Sequence, residues 1–252
     1  MTFIRGGTIH ELEVAQGLIT GQAIMHKFGR NSDIDTGAVP ETLWNGGGLY
    51  SGFSAAAQPV RVKAGGNVND TIAGTGAQKV TIIGLDGSGN EIEEEVDMAG
   101  ASASSQTSLS FKRAWRARVT QVGSGGKNAG EITIEQITST DIMAVMPAGT
   151  NRTHISCYTV PAGKTLYLHQ MQVTTTASSN SNTQFDLLVD HGGQGIFESM
   201  QPISVVEEGG MYIHYFDWMK IVANSDIDLR CTATTSNNVI ASGGFHGILV
   251  DD

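Results

Sequence analysis

KVTIIGL, then DGSGN, then EIEEEVDM: this run from Lys79 to Met98 decides the fold class. Lys79 to Leu85 is rich in β-branched residues, which fit a pleated surface better than a helix. Asp86-Gly87-Ser88-Gly89-Asn90 has turn chemistry throughout, and Glu91 to Met98 returns as a second strand. The pattern predicts a β-hairpin with a five-residue loop.

Further strands are predicted outward from the hairpin at Arg116 to Val122, Glu131 to Ile137 and Asp141 to Met146. A second block, from about residue 149, repeats the period of two. Phe185, Leu187 and Val189 share one face of their strand. Ile227, Leu229, Cys231 and Ala233 share one face of theirs, with Asp228, Arg230 and Thr232 opposite. About eight short strands with polar turns in this block fit a β-sandwich or jelly roll. The first 50 residues differ. Leu12, Val14, Leu18, Ile19, Ile24 and Met25 are apolar, but Gly17 and Gly21 interrupt any helix. Lys27 to Gly48 lacks strand alternation yet concentrates Phe28, Arg30, Trp44 and three consecutive glycines. The expectation is an all-β chain in three parts: an extended N-terminal docking arm (1–50), a first β-sandwich domain (51–148) and a second, jelly-roll-like domain (149–252). A length of 252 residues accommodates this, and equally one large β domain.

Composition narrows the function. Apolar residues make up 40% and charged residues 16%, enough for a real core and against wholesale disorder. The net charge of −10 disfavours non-specific nucleic-acid binding, so no nucleic-acid partner is expected. No segment approaches the ~20 apolar residues of a membrane span, and no signal-peptide pattern opens the chain, so no membrane partner and synthesis in a cytosol are expected. Two cysteines, Cys157 and Cys231, are too few for a disulfide framework. A core thiol is the favoured reading of Cys231, and a single bridge between the two stays open.

The chemistry-bearing motifs are weak. Asp35-Thr36-Gly37-Ala38 matches the aspartic-protease tetrad but does not follow a buried apolar strand, and is set aside. Gly163-Lys164-Thr165 has Tyr158 where a phosphate loop needs its first glycine, and a strand follows it. The seven histidines show no metal-ligand spacing. Neither catalytic residues, nor a metal, nor a cofactor is expected. More suggestive are two charged faces: Glu91, Glu93, Glu95 and Asp97 on one strand, and Arg116 and Arg118 on another. Either both are solvated, or the acidic face of one subunit meets the basic face of another and sets register in an oligomer. Exposed sheet edges add a modest argument for a symmetric homo-oligomer.

An ordered series of segments resembles structural proteins of tailed bacteriophages. It comprises Lys27-Phe28-Gly29-Arg30-Asn31, Asp33-Ile34-Asp35-Thr36-Gly37, Trp44 with Gly46-Gly47-Gly48, Ala73 to Gln78 followed by Gly84-Leu85-Asp86, Gly123 to Gly126, and Tyr158 to Thr165. The resemblance runs from about residue 20 to about residue 175 and is to head decoration or cement proteins. It implies β-sandwich modules, often trimeric, seated on the capsid exterior where capsomers meet, with the major capsid protein and further copies of the chain as partners. On this reading the arm residues Phe28, Arg30, Asp33, Asp35 and Trp44 contact capsid or neighbouring subunits, and Glu93, Glu95, Arg116 and Arg118 form inter-subunit charge faces. The alternative is a tail or head-fibre component whose C-terminal jelly roll binds a glycan through Trp218, Tyr212 and Tyr215.

Overall fold

The computed structural model describes residues 4–5, 8–54, 56–177 and 180–252. The chain is almost all β. A short antiparallel pair, β1 (Ile4–Arg5) and β2 (Thr8–Ile9), leads into a single helical turn and a half, α1 (His10–Ala15). Then come β3 (Gln22–Ile34), β4 (Glu41–Thr42), β5 (Val60–Lys63), β6 (Ala77–Leu85), β7 (Glu91–Asp97), β8 (Arg113–Val122), β9 (Ile132–Gln136), β10 (Ile142–Met146) and β11 (Cys157–Thr159). The chain closes with β12 (Lys164–Thr176), β13 (Asn182–Asp190), β14 (Phe197–Val206), β15 (Glu208–Ile221), β16 (Asp226–Thr234) and β17 (Val239–Asp251). The hairpin predicted from KVTIIGL is β6–β7, paired in register from Lys79 opposite Asp97 to Leu85 opposite Glu91.

The larger sandwich packs an antiparallel sheet in the order β3-β17-β12-β15 against one in the order β4-β16-β13-β14, with β11 continuing along the same edge of β16 as β4. Set β5 to β11 aside and count the rest of this sandwich in chain order. The first sheet then holds strands 1, 8, 3 and 6, and the second holds 2, 7, 4 and 5. Those are the two interlocked Greek keys of a jelly roll. Its core contains Phe185, Leu187, Val189, Ile227, Leu229, Cys231 and Phe245, so the alternation read in β13 and β16 is the buried face. Both cysteines are free and buried.

Between the second and third jelly-roll strands sits the smaller module. Its sheets β7-β6-β8 and β10-β9-β5 enclose Val80, Ile82, Phe111, Ile132, Ile134 and Met143. It is not a bead on a string: Leu85 and Trp115 belong to the jelly-roll core instead. The buried Arg113 reaches from β8 to Asp226 on β16 (Nη2 to Oδ2, 2.9 Å).

Two expectations are corrected. The arm is not free. Within residues 1–50, positions 1–3 and 6–7 lie outside the described residues, but β3 pairs along its length with β17, and β4 pairs with β16. The larger sandwich is therefore not enclosed by residues 149–252; one strand of each sheet comes from before residue 50. The alternation was hidden because β3 turns Met25, Lys27, Gly29 and Asn31 inward. Only one of these four is apolar. Lys27 Nζ donates to the Trp115 carbonyl (2.9 Å) and Asn31 Nδ2 to Glu41 Oε2 (2.8 Å), so these polar groups are buried with partners. Gly29 is required by close approach: a Cβ there would lie 1.8 Å from the Leu43 carbonyl oxygen.

Candidate functional site

The outward residues of β3 are His26, Phe28 and Arg30, and around them the fold gathers positive charge. Residues 152–155 run beside β3 and β8, bridging Phe28 to Ile155 and Arg118 to Arg152 through the backbone. This brings the Arg152 guanidinium over the Phe28 ring, 4.8 Å from its centroid. The rings of His154 and His26 lie 5.3 and 5.6 Å from Phe28. From β8, Arg116 Nη2 donates to the His26 carbonyl at 2.8 Å. A groove of about 330 Å³ opens beside Phe28, lined by Arg30, His154, Gln172, Thr174 and Ser242.

Electrostatically this face is crowded. Burial, then the Arg152 guanidinium, pulls Arg116 below the ordinary arginine range, with Arg118 adding to the effect. Burial, then Arg152 and Arg30, lowers His154. Burial, then His246, Arg116, Arg152 and Lys27, lowers His26. Among the described residues, none of Arg30, Arg116, Arg118 and Arg152 forms an ion pair with a carboxylate. The more voluminous cleft between the two modules is different. Of about 530 Å³, it is lined by Tyr50, Phe53, Arg113, Asp190, Phe197 and Arg230. Apart from Lys112, its charges are consumed internally: Arg113 on Asp226, Arg230 on Asp228, and the Asp190 carboxylate on the backbone N–H groups of Gln194 and Gly195.

Of the residues expected to make contacts, Phe28 and Arg30 lie together in this face. Asp33 is exposed further along β3, and Asp35 accepts a hydrogen bond from the Asn238 N–H (2.8 Å), tying one turn to another. Trp44 is turned inward. It is 5% exposed, its Nε1 donates to the Gly47 and Gly48 carbonyls, and it packs edge-on against Tyr50 at 5.2 Å. It anchors its own chain, because Gly47 and Gly48 curl back to cap its indole N–H. The two charged rows flank one strand. Thr81 of β6 pairs with Glu95 on one side and Arg118 on the other, and Ile83 likewise separates Glu93 from Arg116. Acidic and basic rows therefore share one face of one sheet in the same chain. Glu95 is held by Lys79 (2.9 Å) and the Thr120 hydroxyl (2.8 Å). Arg152, His154 and His26 were missed. The signal for His26 was the alternation His26-x-Phe28-x-Arg30, the outward half of a strand whose inward half is mostly not apolar; Arg152 and His154 lie outside that strand.

The residues named for glycan stacking do not form a platform. Trp218 stacks on His169 at 4.8 Å, the Tyr215 hydroxyl points at Met171 Sδ (3.0 Å), and Tyr212 is the exposed one. Among the described residues no group of three or more His, Cys, Asp or Glu is placed to hold a metal ion. No helix among them is long and apolar enough to cross a membrane.

No family model and no curated protein matches the chain. Among solved structures, a chain of the cowpea mosaic virus top component, described as naturally occurring empty particles, is similar at 7% identity and a TM-score of 0.24. The match covers 79% of this chain and 84% of that one. A chain of the infectious bursal disease virus Gx strain is similar at 10% identity and a TM-score of 0.23, covering 92% and 73%. Likeness this slight carries no conclusion about function.

Proposed function

We propose that the chain is a virion structural protein of the capsid decoration or cement type. It is made in the host bacterial cytoplasm and seated on the capsid exterior, where it bridges neighbouring subunits of the major capsid protein. The jelly roll and its inserted module act as the two building units, and self-association, as a homotrimer, multiplies the contacts. The observation that carries this reading is the arginine face around Phe28. The buried Arg113 and the largely buried Arg230 are spent on internal carboxylates, whereas among the described residues this face presents guanidiniums with no ion-paired carboxylate on a rigid β scaffold. A rigid face of this kind suits holding rather than turnover. Binding to a surface that only the expanded shell presents would stabilise that shell by mass action. Contacts of Glu93 and Glu95 with a neighbour's Arg116 and Arg118 belong to the same proposal.

The test is copy number per virion together with capsid binding. We expect copy numbers comparable with the shell subunit, and loss of binding to expanded capsids in Arg30→Glu/Arg152→Glu. Copy numbers typical of a tail component would overturn the reading. One observation favours the tail or head-fibre alternative: Tyr212 (58% exposed) and Phe216 (83%) project from the edge strand β15. Glycan-array binding abolished by Tyr212→Ala would install it.

A further inference from the structure

We propose that the face formed by Arg30, Arg116, Arg118 and Arg152 around Phe28 is a docking site for a carboxylate-rich segment of a protein partner, and that docking there takes up protons. The proposal names the partner chemistry and regulation of the face on which the functional reading rests.

Like charges gathered without an internal counter-ion destabilise the free protein, so a cluster of this kind points to an external anion. Arg116 feels the charge of both Arg152 and Arg118. Arg152 and Arg118 face each other across a backbone bridge, Arg152 covers Phe28, and Arg30 and His154 share its groove. Guanidiniums suit the planar, two-point recognition of carboxylates, and the half-buried Phe28 holds Arg152 in place from beneath. Phosphates share the charge, but a chain of net charge −10 repels a polyanion at long range, which favours a short acidic segment over nucleic acid.

The proton linkage follows from what surrounds the two imidazoles. His154 faces Arg152 and Arg30. His26 faces His246 from β17, Arg116 from β8, Arg152 and its own neighbour Lys27. All of these disfavour the imidazolium, and none is a carboxylate. A carboxylate-rich segment reverses that field, so its arrival draws protons onto His26 and His154 and affinity rises as pH falls below about 6.5.

The test is fluorescence anisotropy with the intact chain and three probes: a labelled polyglutamate peptide, a labelled DNA duplex, and inorganic phosphate as competitor. We expect the peptide to bind, with affinity that weakens as salt shortens the screening length and rises roughly tenfold between about pH 7.5 and pH 5.5. Arg30→Gln/Arg152→Gln should lose about tenfold in affinity with a thermal midpoint that does not fall. His154→Gln should flatten the rise in affinity between about pH 7.5 and pH 5.5. Absence of peptide binding, tighter binding of DNA than of peptide, displacement by phosphate at peptide-like concentrations, or indifference to the arginine substitutions would each overturn it. Failure here with a shell-like copy number in virions removes only the docking site. Peptide binding with a tail-like copy number removes only the cement reading.

Discussion

Arg113 is 4% exposed and has every side-chain nitrogen engaged. Nε donates to the Thr159 hydroxyl (3.0 Å), Nη2 to Asp226 (2.9 Å), and Nη1 to the Gly52 and Lys112 carbonyls. Burial pushes the Asp226 carboxyl above the ordinary range, and Arg113 and Thr159 offset that push. A lone charge left at such a site costs more than the pair gains, so Arg113→Ala should destabilise by about 3–5 kcal/mol, read from chemical denaturation. Arg113→Lys should recover little, because an ammonium cannot reproduce the fork. A cost under about 1 kcal/mol, typical of an exposed pair, would mean that the two modules are not clamped there. Gly29 gives the second residue-scale prediction. Its missing Cβ admits the Leu43 carbonyl, and the Ser156 N–H would lie only 2.4 Å from that Cβ, so both obstacles are backbone. Gly29→Ala should cost about 3 kcal/mol through overpacking. An unchanged denaturation midpoint would contradict the close packing of β3 on residues 43 and 156.

At the scale of elements, one row of side chains runs across four strands. His214 of β15, His169 of β12, His246 of β17 and His26 of β3 follow one another with ring centroids 5.5, 4.8 and 6.0 Å apart. His169 is 6% exposed at the bulge between Leu168 and Gln170, with Trp218 stacked on it. Neither of its ring nitrogens has a hydrogen-bond partner, and the nearest carboxylate, Glu11 of α1, is 4.0 Å away. Burial is the first cause lowering His169, His246 and His26, followed for His169 and His26 by the positive field of His246. The sign follows from linkage. Depressed imidazoles bind protons more weakly in the folded than in the unfolded chain. The stability they confer is therefore complete above about pH 6.5 and is lost as pH falls through their folded values. The raised carboxyls of Asp226 and Asp228 act in the opposite sense, so the row is isolated by a difference between variants. His169→Phe should show a smaller fall in thermal midpoint between pH 7.5 and 5.5 than the parent chain. An equal fall would remove the row as its cause. Legibility at this scale was uneven. The β6–β7 hairpin and the buried faces of β13 and β16 could be read because their inward positions are apolar. β3 could not, because Lys27, Gly29 and Asn31 occupy its inward positions, and the histidine row could not, because its members lie far apart in sequence and meet only by strand pairing.

For the whole molecule the N-terminal strands β3 and β4 govern behaviour. Residues 22–44 contribute the buried Met25, Ile34, Leu43 and Trp44. At ~1.5–3 kcal/mol for each buried side chain, these four rival the ~5–15 kcal/mol stability of an ordinary domain. A chain lacking residues 1–48 loses β3 and β4, uncovers the edges of β17 and β16, and should fail to melt cooperatively in near-ultraviolet dichroism. A cooperative melt at the parent midpoint would show that the first 50 residues are a detachable arm after all. The sequence by itself determined the all-β class, the hairpin at Lys79 to Met98 and the strand faces of the C-terminal block, because each is written in short-range periodicity and residue type. Only the tertiary structure decided that the N-terminal stretch completes the jelly roll, that Trp44 turns inward, and that Arg30, Arg116, Arg118 and Arg152 converge on one face. Those outcomes depend on which distant strands exchange hydrogen bonds, and a pairing across some two hundred residues leaves no local trace when the paired strand buries polar groups.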